Sequence, residues 1–170
     1  LDDTMPDNER LKRAIMAATG VAKVQIPFKE ITKMPDVLRE GGFQVKVLIQ
    51  KAKKNVFVYD IYTCDTDVVV GGLVVDIGTT TVSAILVNML NGDILAKGST
   101  GNGQIRYGAD VINRIIESSR PGGKKKLQDA IVKETLTPII ANLCKSAGIS
   151  ARSILRLSIG ANTTMNHLLV

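Results

Sequence analysis

The 170-residue chain is poor in the side chains that most often carry metal, redox and acyl-transfer chemistry. It has one histidine (His167), no tryptophan, and two cysteines, Cys64 and Cys144, standing 80 positions apart. Cys-x-x-Cys zinc ribbons, four-cysteine iron–sulfur clusters and multi-histidine metal sites are therefore excluded within these residues. A Ser-His-Asp arrangement would have to recruit His167 from an apolar run, which the pattern disfavours. Two distant cysteines do not make a secreted disulfide scaffold, so a reducing cytoplasm is expected. The longest apolar run, 68–75, is eight residues with two glycines, far too short for a membrane span. Leu1 is followed by Asp2 and Asp3, unlike the basic and apolar segments of a signal peptide. The chain lacks an initial methionine and stops at Val170 inside an apolar pattern, so a piece of a longer protein is expected. The chemistry left is that of carboxylates, hydroxyls, backbone amides or a bound ligand.

What is present is an ordinary globular composition, 45% hydrophobic and 22% charged, enough for one or two small domains with a core of their own. Charge is uneven. Residues 1–71 hold 11 Lys+Arg against 10 Asp+Glu, and residues 72–170 hold 11 against 6. A basic half invites a nucleic-acid reading. Of three Phe and three Tyr, however, only Tyr107 lies there, so no base-stacking platform exists and no nucleic-acid partner is expected. Cys64 and Cys144 read as small buried residues, and His167 as a buried or boundary helix residue.

The first seventy residues read as a small α+β unit. Leu11, Ile15 and Ala18 mark a short amphipathic helix ended by Gly20, and 35–40 makes a second helix started by Pro35. Alternation over 43–50 and 56–62 gives two strands, a hairpin that needs a further partner to be stable. Gly71-Gly72 marks a boundary. Beyond it, 73–77 is a continuous apolar strand of the doubly buried kind, 80–87 a second strand, and 93–97 a third after the Asn91-Gly92 turn. Glycine-rich coil (98–103) precedes a helix over 108–118 whose apolar positions are Val111, Ile112, Ile115 and Ile116. A longer helix over 124–147 carries Leu127, Ile131, Ile140 and Leu143, with Pro138 expected to kink or divide it. A fourth strand (154–159) and a last helix from Thr163 complete an α/β layer with an antiparallel meander at its start.

The stretch that carries chemistry is Asp76-Ile77-Gly78-Thr79-Thr80-Thr81, between two strands. An unpaired carboxylate ending a buried strand is tolerated if it orders the water shell of Mg²⁺. Gly78 allows a tight turn and close backbone approach, and the amides and hydroxyls of Thr79, Thr80 and Thr81 converge on phosphate oxygens. There is no Gly-Lys-Ser/Thr, so this is not a P-loop. A tight hairpin with strand-favouring threonines is the bland alternative. Asp110 and Arg114 stand at i and i+4, the spacing of an exposed helix ion pair.

This stretch with its following meander resembles the first phosphate loop of the actin-like ATPase superfamily. The segments Asn102-Gly103-Gln104, Tyr107-Gly108-Ala109-Asp110-Val111-Ile112-Asn113-Arg114-Ile115 and Gly160-Ala161-Asn162-Thr163-Thr164-Met165-Asn166-His167-Leu168-Leu169 resemble the reductive activators of corrinoid-dependent enzymes. The resemblance covers about 35–170; Gly103 stands where that family commonly has proline. It implies a small α+β middle domain over 1–70 and the N-terminal part of an actin-like (ribonuclease H-like) ATPase domain over 71–170. It implies ATP and Mg²⁺, with Asp76 catalytic and holding the metal through water, and Gly78, Thr79, Thr80 and Thr81 on phosphate. Asn102, Gln104, Tyr107 and Asp110 would line the cleft mouth or the face that meets a corrinoid protein. Asn162 counts among the cofactor-binding residues, and Asn162 or Thr163 also suits the cap of the last helix. The implied activity returns Co(II) corrinoid to Co(I) with electrons from a [2Fe-2S] domain upstream of this chain. The implied partner is a corrinoid protein or corrinoid-dependent methyltransferase, with a homodimer, a second copy pairing through 1–70, as a further expectation. Half a cleft should bind nucleotide weakly. Two other readings stand: a sugar- or acyl-type kinase with Asp110 as general base, and a non-catalytic association module.

Overall fold

The computed structural model describes residues 4–169. The chain divides into two compact units, the first ending at Asp67 and the second beginning at Val68.

In the first unit, α1 (Asp7–Thr19) buries Leu11 and Ile15 and stops where Gly20, at φ 69°, donates its N–H to the Met16 carbonyl. β1 (Lys23–Gln25) leads to α2 (Phe28–Glu40), which begins well before Pro35 and carries that proline in its interior. The expected helix over 35–40 is therefore the second half of a longer one. Glu30, Met34 and Leu38 fall at i, i+4 and i+8 on one buried stripe, whose packing offsets the hydrogen bond that Pro35 removes. β2 (Val45–Ala52) pairs antiparallel with β3 (Asn55–Thr63), and β1 adds in parallel to give the order β1-β3-β2. The third strand that the hairpin required is thus the three-residue β1. Phe43 is exposed at φ 63° in the turn after α2, so the strand starts two residues later than the alternation suggests.

A charged cluster ties α2 to β3. Lys33 pairs with Asp60 and lies 3.3 Å from the buried Glu30 Oε2. Burial disfavours the charged lysine, but hydrogen bonds to Asp60 and Glu30 outweigh it and raise its pKa. Burial, then a hydrogen bond to Asp60, pushes Tyr62 up to about 12.

The second unit is a four-stranded sheet of order β6-β5-β4-β7. β4 (Gly71–Ile77), β5 (Thr81–Asn88) and β6 (Ile94–Gly101) form an antiparallel meander, and β7 (Ile154–Ala161) lies parallel to β4. β6 runs through the glycines expected to be coil, because Gly98 and Gly101 stay in register with Ala84 and Thr81. Leu73, Val75, Ile77, Val82, Ala84 and Leu86 make one apolar face, packed with Leu127, Ile131, Ile139, Leu143 and Met165 from the helices. The other face is open: Val74 and Asp76 are exposed, so the continuous apolar run of β4 marks a strand buried on one side, not two.

The helices are α3 (Val111–Ser118), α4 (Gly123–Ile131), α5 (Thr137–Ala147) and α6 (Thr163–Leu169). The single helix expected over 124–147 is divided by a π-helical turn, Val132–Leu136. Pro138 sits in the first turn of α5, where no N–H is needed, and the wider turn lies just before it. α3 is rotated against expectation. Ile112, Ile115 and Ile116 are 70%, 46% and 51% exposed, while Arg114 and Glu117 are buried.

Candidate functional site

The β4–β5 hairpin tip presents Asp76, residues 78–80 and Thr81 at the carboxyl end of β4. Asp76 is exposed on the open sheet face, in register with Ser83 and Gly160, and pairs with nothing among the described residues. No burial penalty therefore acts on it, contrary to the sequence argument. The Gly78 N–H donates to the Thr81 carbonyl at 2.9 Å. A Cβ at Gly78 would lie 2.7 Å from that same oxygen, so the turn admits only glycine without a shift.

All three carbonyls of the 78–80 loop are held. Asn102 Nδ2 donates to Gly78 O at 2.9 Å, Arg114 Nη2 to Thr79 O at 2.6 Å, and the Asn102 backbone N–H to Thr80 O at 2.8 Å. The N–H groups of Thr79 and Thr80 meet no acceptor among the described residues. Two successive free amides beside the threonine side chains are donors of the kind an anion can take.

The supports are themselves supported. Asn102 Oδ1 accepts from the Gln104 N–H at 2.9 Å, and Gln104 Nε2 donates to Leu127 O at 3.0 Å. The Gly103 N–H donates to Thr135 Oγ1 at 3.0 Å, and that hydroxyl, in the π turn, donates to Ala130 O in α4. Proline at 103 would lack this donor. Arg114 Nε donates to Gly108 O at 2.8 Å, while Nη1 reaches Met165 Sδ at 3.3 Å and Gln104 Oε1 at 3.5 Å. A Cβ at Gly108 would stand 2.7 Å from the Arg114 backbone nitrogen, so this close approach also depends on glycine. Burial lowers the Arg114 pKa, and Asp110 partly offsets it.

Several expected residues are placed differently. Asn102 and Gln104 are only 2% and 1% exposed, and hold the loop from behind instead of lining a cleft mouth. Asp110 does not pair with Arg114. It caps α3, accepting from the Asn113 N–H at 2.8 Å and from Asn113 Nδ2 at 2.7 Å, and these bonds hold its pKa below the usual carboxylate range. Asn162 Oδ1 accepts from the Met165 N–H at 2.9 Å as a cap of α6, and the parallel register Ile77↔Ala161 sets Asn162 beside Gly78. Tyr107 is half-buried with the Arg106 guanidinium 4.9 Å from its ring centroid. His167 and Cys64 are exposed, not buried, whereas Cys144 is buried and its thiol pKa is pushed up by that burial.

Arg114 is the loop support that the sequence analysis placed in an exposed ion pair. The row 111–114–117 competes with the isoleucine row 112–115–116 for the inward face, and apolarity alone favours the wrong one. Among the described residues no helix is long and apolar enough to cross a membrane, and no group of three or more His, Cys, Asp or Glu is placed to hold a metal.

Fold and site define a pair of α/β units, the second with a hairpin tip that carries two free amides. Residues 71–170 match the family described as RACo middle region, and residues 1–68 match that described as RACo linker region. The chain belongs to the RACo family, the reductive activators of corrinoid-dependent enzymes. The corrinoid activation enzyme RamQ of Eubacterium limosum is 40% identical over 98 residues, which are 57% of this chain and 16% of that protein. A solved reductive activator for corrinoid, iron-sulfur protein matches with a TM-score of 0.78 at 32% identity, over 99% of this chain and 27% of its own. The chain thus spans about a quarter or less of the length of these relatives.

Proposed function

We propose that this chain is a small α+β domain (1–70) and the first phosphate-holding half of the actin-like ATPase domain (71–170) of an ATP-dependent activator that returns Co(II) corrinoid to Co(I). Electrons would come from an iron–sulfur domain outside these residues, and the partner would be a corrinoid protein or corrinoid-dependent methyltransferase in the cytoplasm. The names of the two relatives support the corrinoid theme, and the order β6-β5-β4-β7 with β7 parallel to β4 supports the actin-like assignment. Pairing of two copies through 1–70 is part of the same proposal.

One observation carries the nucleotide reading: the 78–80 loop has every carbonyl engaged and two amides free, next to the unpaired carboxylate of Asp76. The donor set fits a metal–nucleotide. Amides and threonine hydroxyls take phosphate oxygens, and a lone exposed carboxylate suits a hydrated Mg²⁺. When bound, the metal contributes neutralisation of phosphate charge. The chain's own work is electrostatic positioning. Thr79 and Thr80 amides orient the phosphate, Gly78 keeps the turn tight enough for backbone approach, and Asp76 holds a place for the metal's waters. The kinase reading loses its base, because both Asp110 oxygens are engaged by Asn113 and its pKa is lowered.

The test is amide NMR of this chain with MgATP. The Thr79 and Thr80 signals should move at millimolar ligand, and Asp76→Asn should weaken MgATP far more than metal-free ATP. In a protein that includes an iron–sulfur domain, Asp76→Asn should abolish ATP-dependent loss of the Co(II) absorbance. Unmoved loop amides in the wild type would sink the reading.

A further inference from the structure

Arg114 heads the fully buried side chains by volume, at 0% exposure, and among the described residues no carboxylate pairs with it. A buried guanidinium without a counter-charge is unfavourable unless its donors are well used. Here they are used on neutral acceptors from three separate segments: Thr79 O in the hairpin loop, Gly108 O before α3, and Met165 Sδ on α6, with Gln104 Oε1 at the limit of range.

We propose that Arg114 is the positioning residue of the 78–80 loop, aiming the Thr80 amide and placing a positive charge that no carboxylate directly pairs beneath the anion site. The inference rests on the nucleotide reading above and deepens it. A trans peptide sets the C=O of one residue antiparallel to the N–H of the next, and the chain has no cis peptide among the described residues. Holding Thr79 O toward Arg114 therefore turns the Thr80 N–H away from it, toward the open side. Asn102 does the same for the Thr79 N–H by holding Gly78 O. The two supports thus act on different amides, and only Arg114 brings charge. Its planar fork serves two carbonyls and a sulfur at once, which a lysine ammonium on a flexible stem does not reproduce.

The experiment is amide NMR of this chain titrated with MgATP and, separately, with inorganic pyrophosphate, for wild type, R114K and R114M. In the wild type the Thr79 and Thr80 amides and the Arg114 Nε–H signal should move together. R114M should weaken pyrophosphate binding about tenfold or more, the scale of a lost charge-assisted hydrogen bond. Its loss should fall mainly on the Thr80 response. R114K, which keeps the charge without the fork, should fall between the two. Core amides of β4 and β5 report whether each variant is folded; if R114M is not, R114K and the wild-type Arg114 Nε–H decide. Wild-type affinity in folded R114M or R114K, or an Arg114 Nε–H that stays still while Thr80 moves, overturns the proposal and leaves the nucleotide reading standing. No movement of Thr79 or Thr80 with either ligand in the wild type overturns the nucleotide reading, and this one with it.

Discussion

Asn102 is the support whose removal is easiest to quantify. It is 2% exposed, its Nδ2 donates to Gly78 O and its Oδ1 accepts from the Gln104 N–H, both at 2.9 Å. Asn102→Ala leaves both partners without that bond, at roughly 1–3 kcal/mol for each buried unsatisfied group. Local relaxation and water entry recover part of this, so a loss of about 2–4 kcal/mol is expected. Asn102→Asp keeps the shape and the acceptor for Gln104, but sets an oxygen against the Gly78 carbonyl and buries a carboxylate. It should therefore destabilise at least as much as alanine, although it changes almost no volume. The second unit has about 100 residues, for which each kcal/mol shifts the midpoint by roughly 4–8 °C, so a fall of about 8–30 °C is expected. Because the chain has two units, one melting curve does not isolate the effect. Hydrogen exchange in β4 and β5 does, and the first-unit strands serve as an internal control. If Asn102→Asp stays within about 0.5 kcal/mol of wild type in those strands, the clamp contributes packing and not hydrogen bonding, and the reasoning fails.

Other consequences are independent of the nucleotide. Tyr62, raised to about 12 by burial and then by its bond to Asp60, adds stability that is whole below its ordinary value near pH ~10 and is lost as pH rises through its folded value. Phenolate absorbance should show a late ionisation step that Tyr62→Phe removes; a late step that persists in Tyr62→Phe, or none in the wild type, would contradict the cluster. Asp60 has the opposite sign. Burial raises its pKa, but the hydrogen bond from Lys33 and its other partners outweigh that and lower it, so its contribution is present above pH ~3.9 and lost as pH falls further. Asp60→Asn should flatten the acid limb of stability. Ile112→Ser, Ile115→Ser and Ile116→Ser should each change stability by no more than about 0.5 kcal/mol, and a loss of several kcal/mol would place that face inward after all. A thiol reagent should modify Cys64 at once and Cys144 only on unfolding; two fast thiols would refute the burial of Cys144.

What the sequence made legible, and what it hid, follow from where each partner lies along the chain. The hairpin tip could be read because its determinants are adjacent: Gly78 closes on the Thr81 carbonyl, three residues away, and the flanking alternation is local. β1 escaped because three residues show no period, and the π turn because Pro138 announces a break without saying where the helix widens. Asn102, Gln104 and Arg114 were hidden for a different reason. Their deciding acceptors, Gly78 O, Leu127 O and Thr79 O, lie 24, 23 and 35 positions away. They are main-chain atoms, which leave no mark on residue type. A polar residue near a glycine-containing loop is then read as facing a ligand, when its side chain is turned inward onto main-chain carbonyls. The isoleucines of α3 are the complement of this error. A buried guanidinium with several acceptors in place holds the inward row, and the apolar row is left outside. For this loop, reduced binding after substitution at Asn102 or Arg114 would therefore measure the misdirection of the Thr79 and Thr80 N–H groups, not the loss of a side chain that touches phosphate.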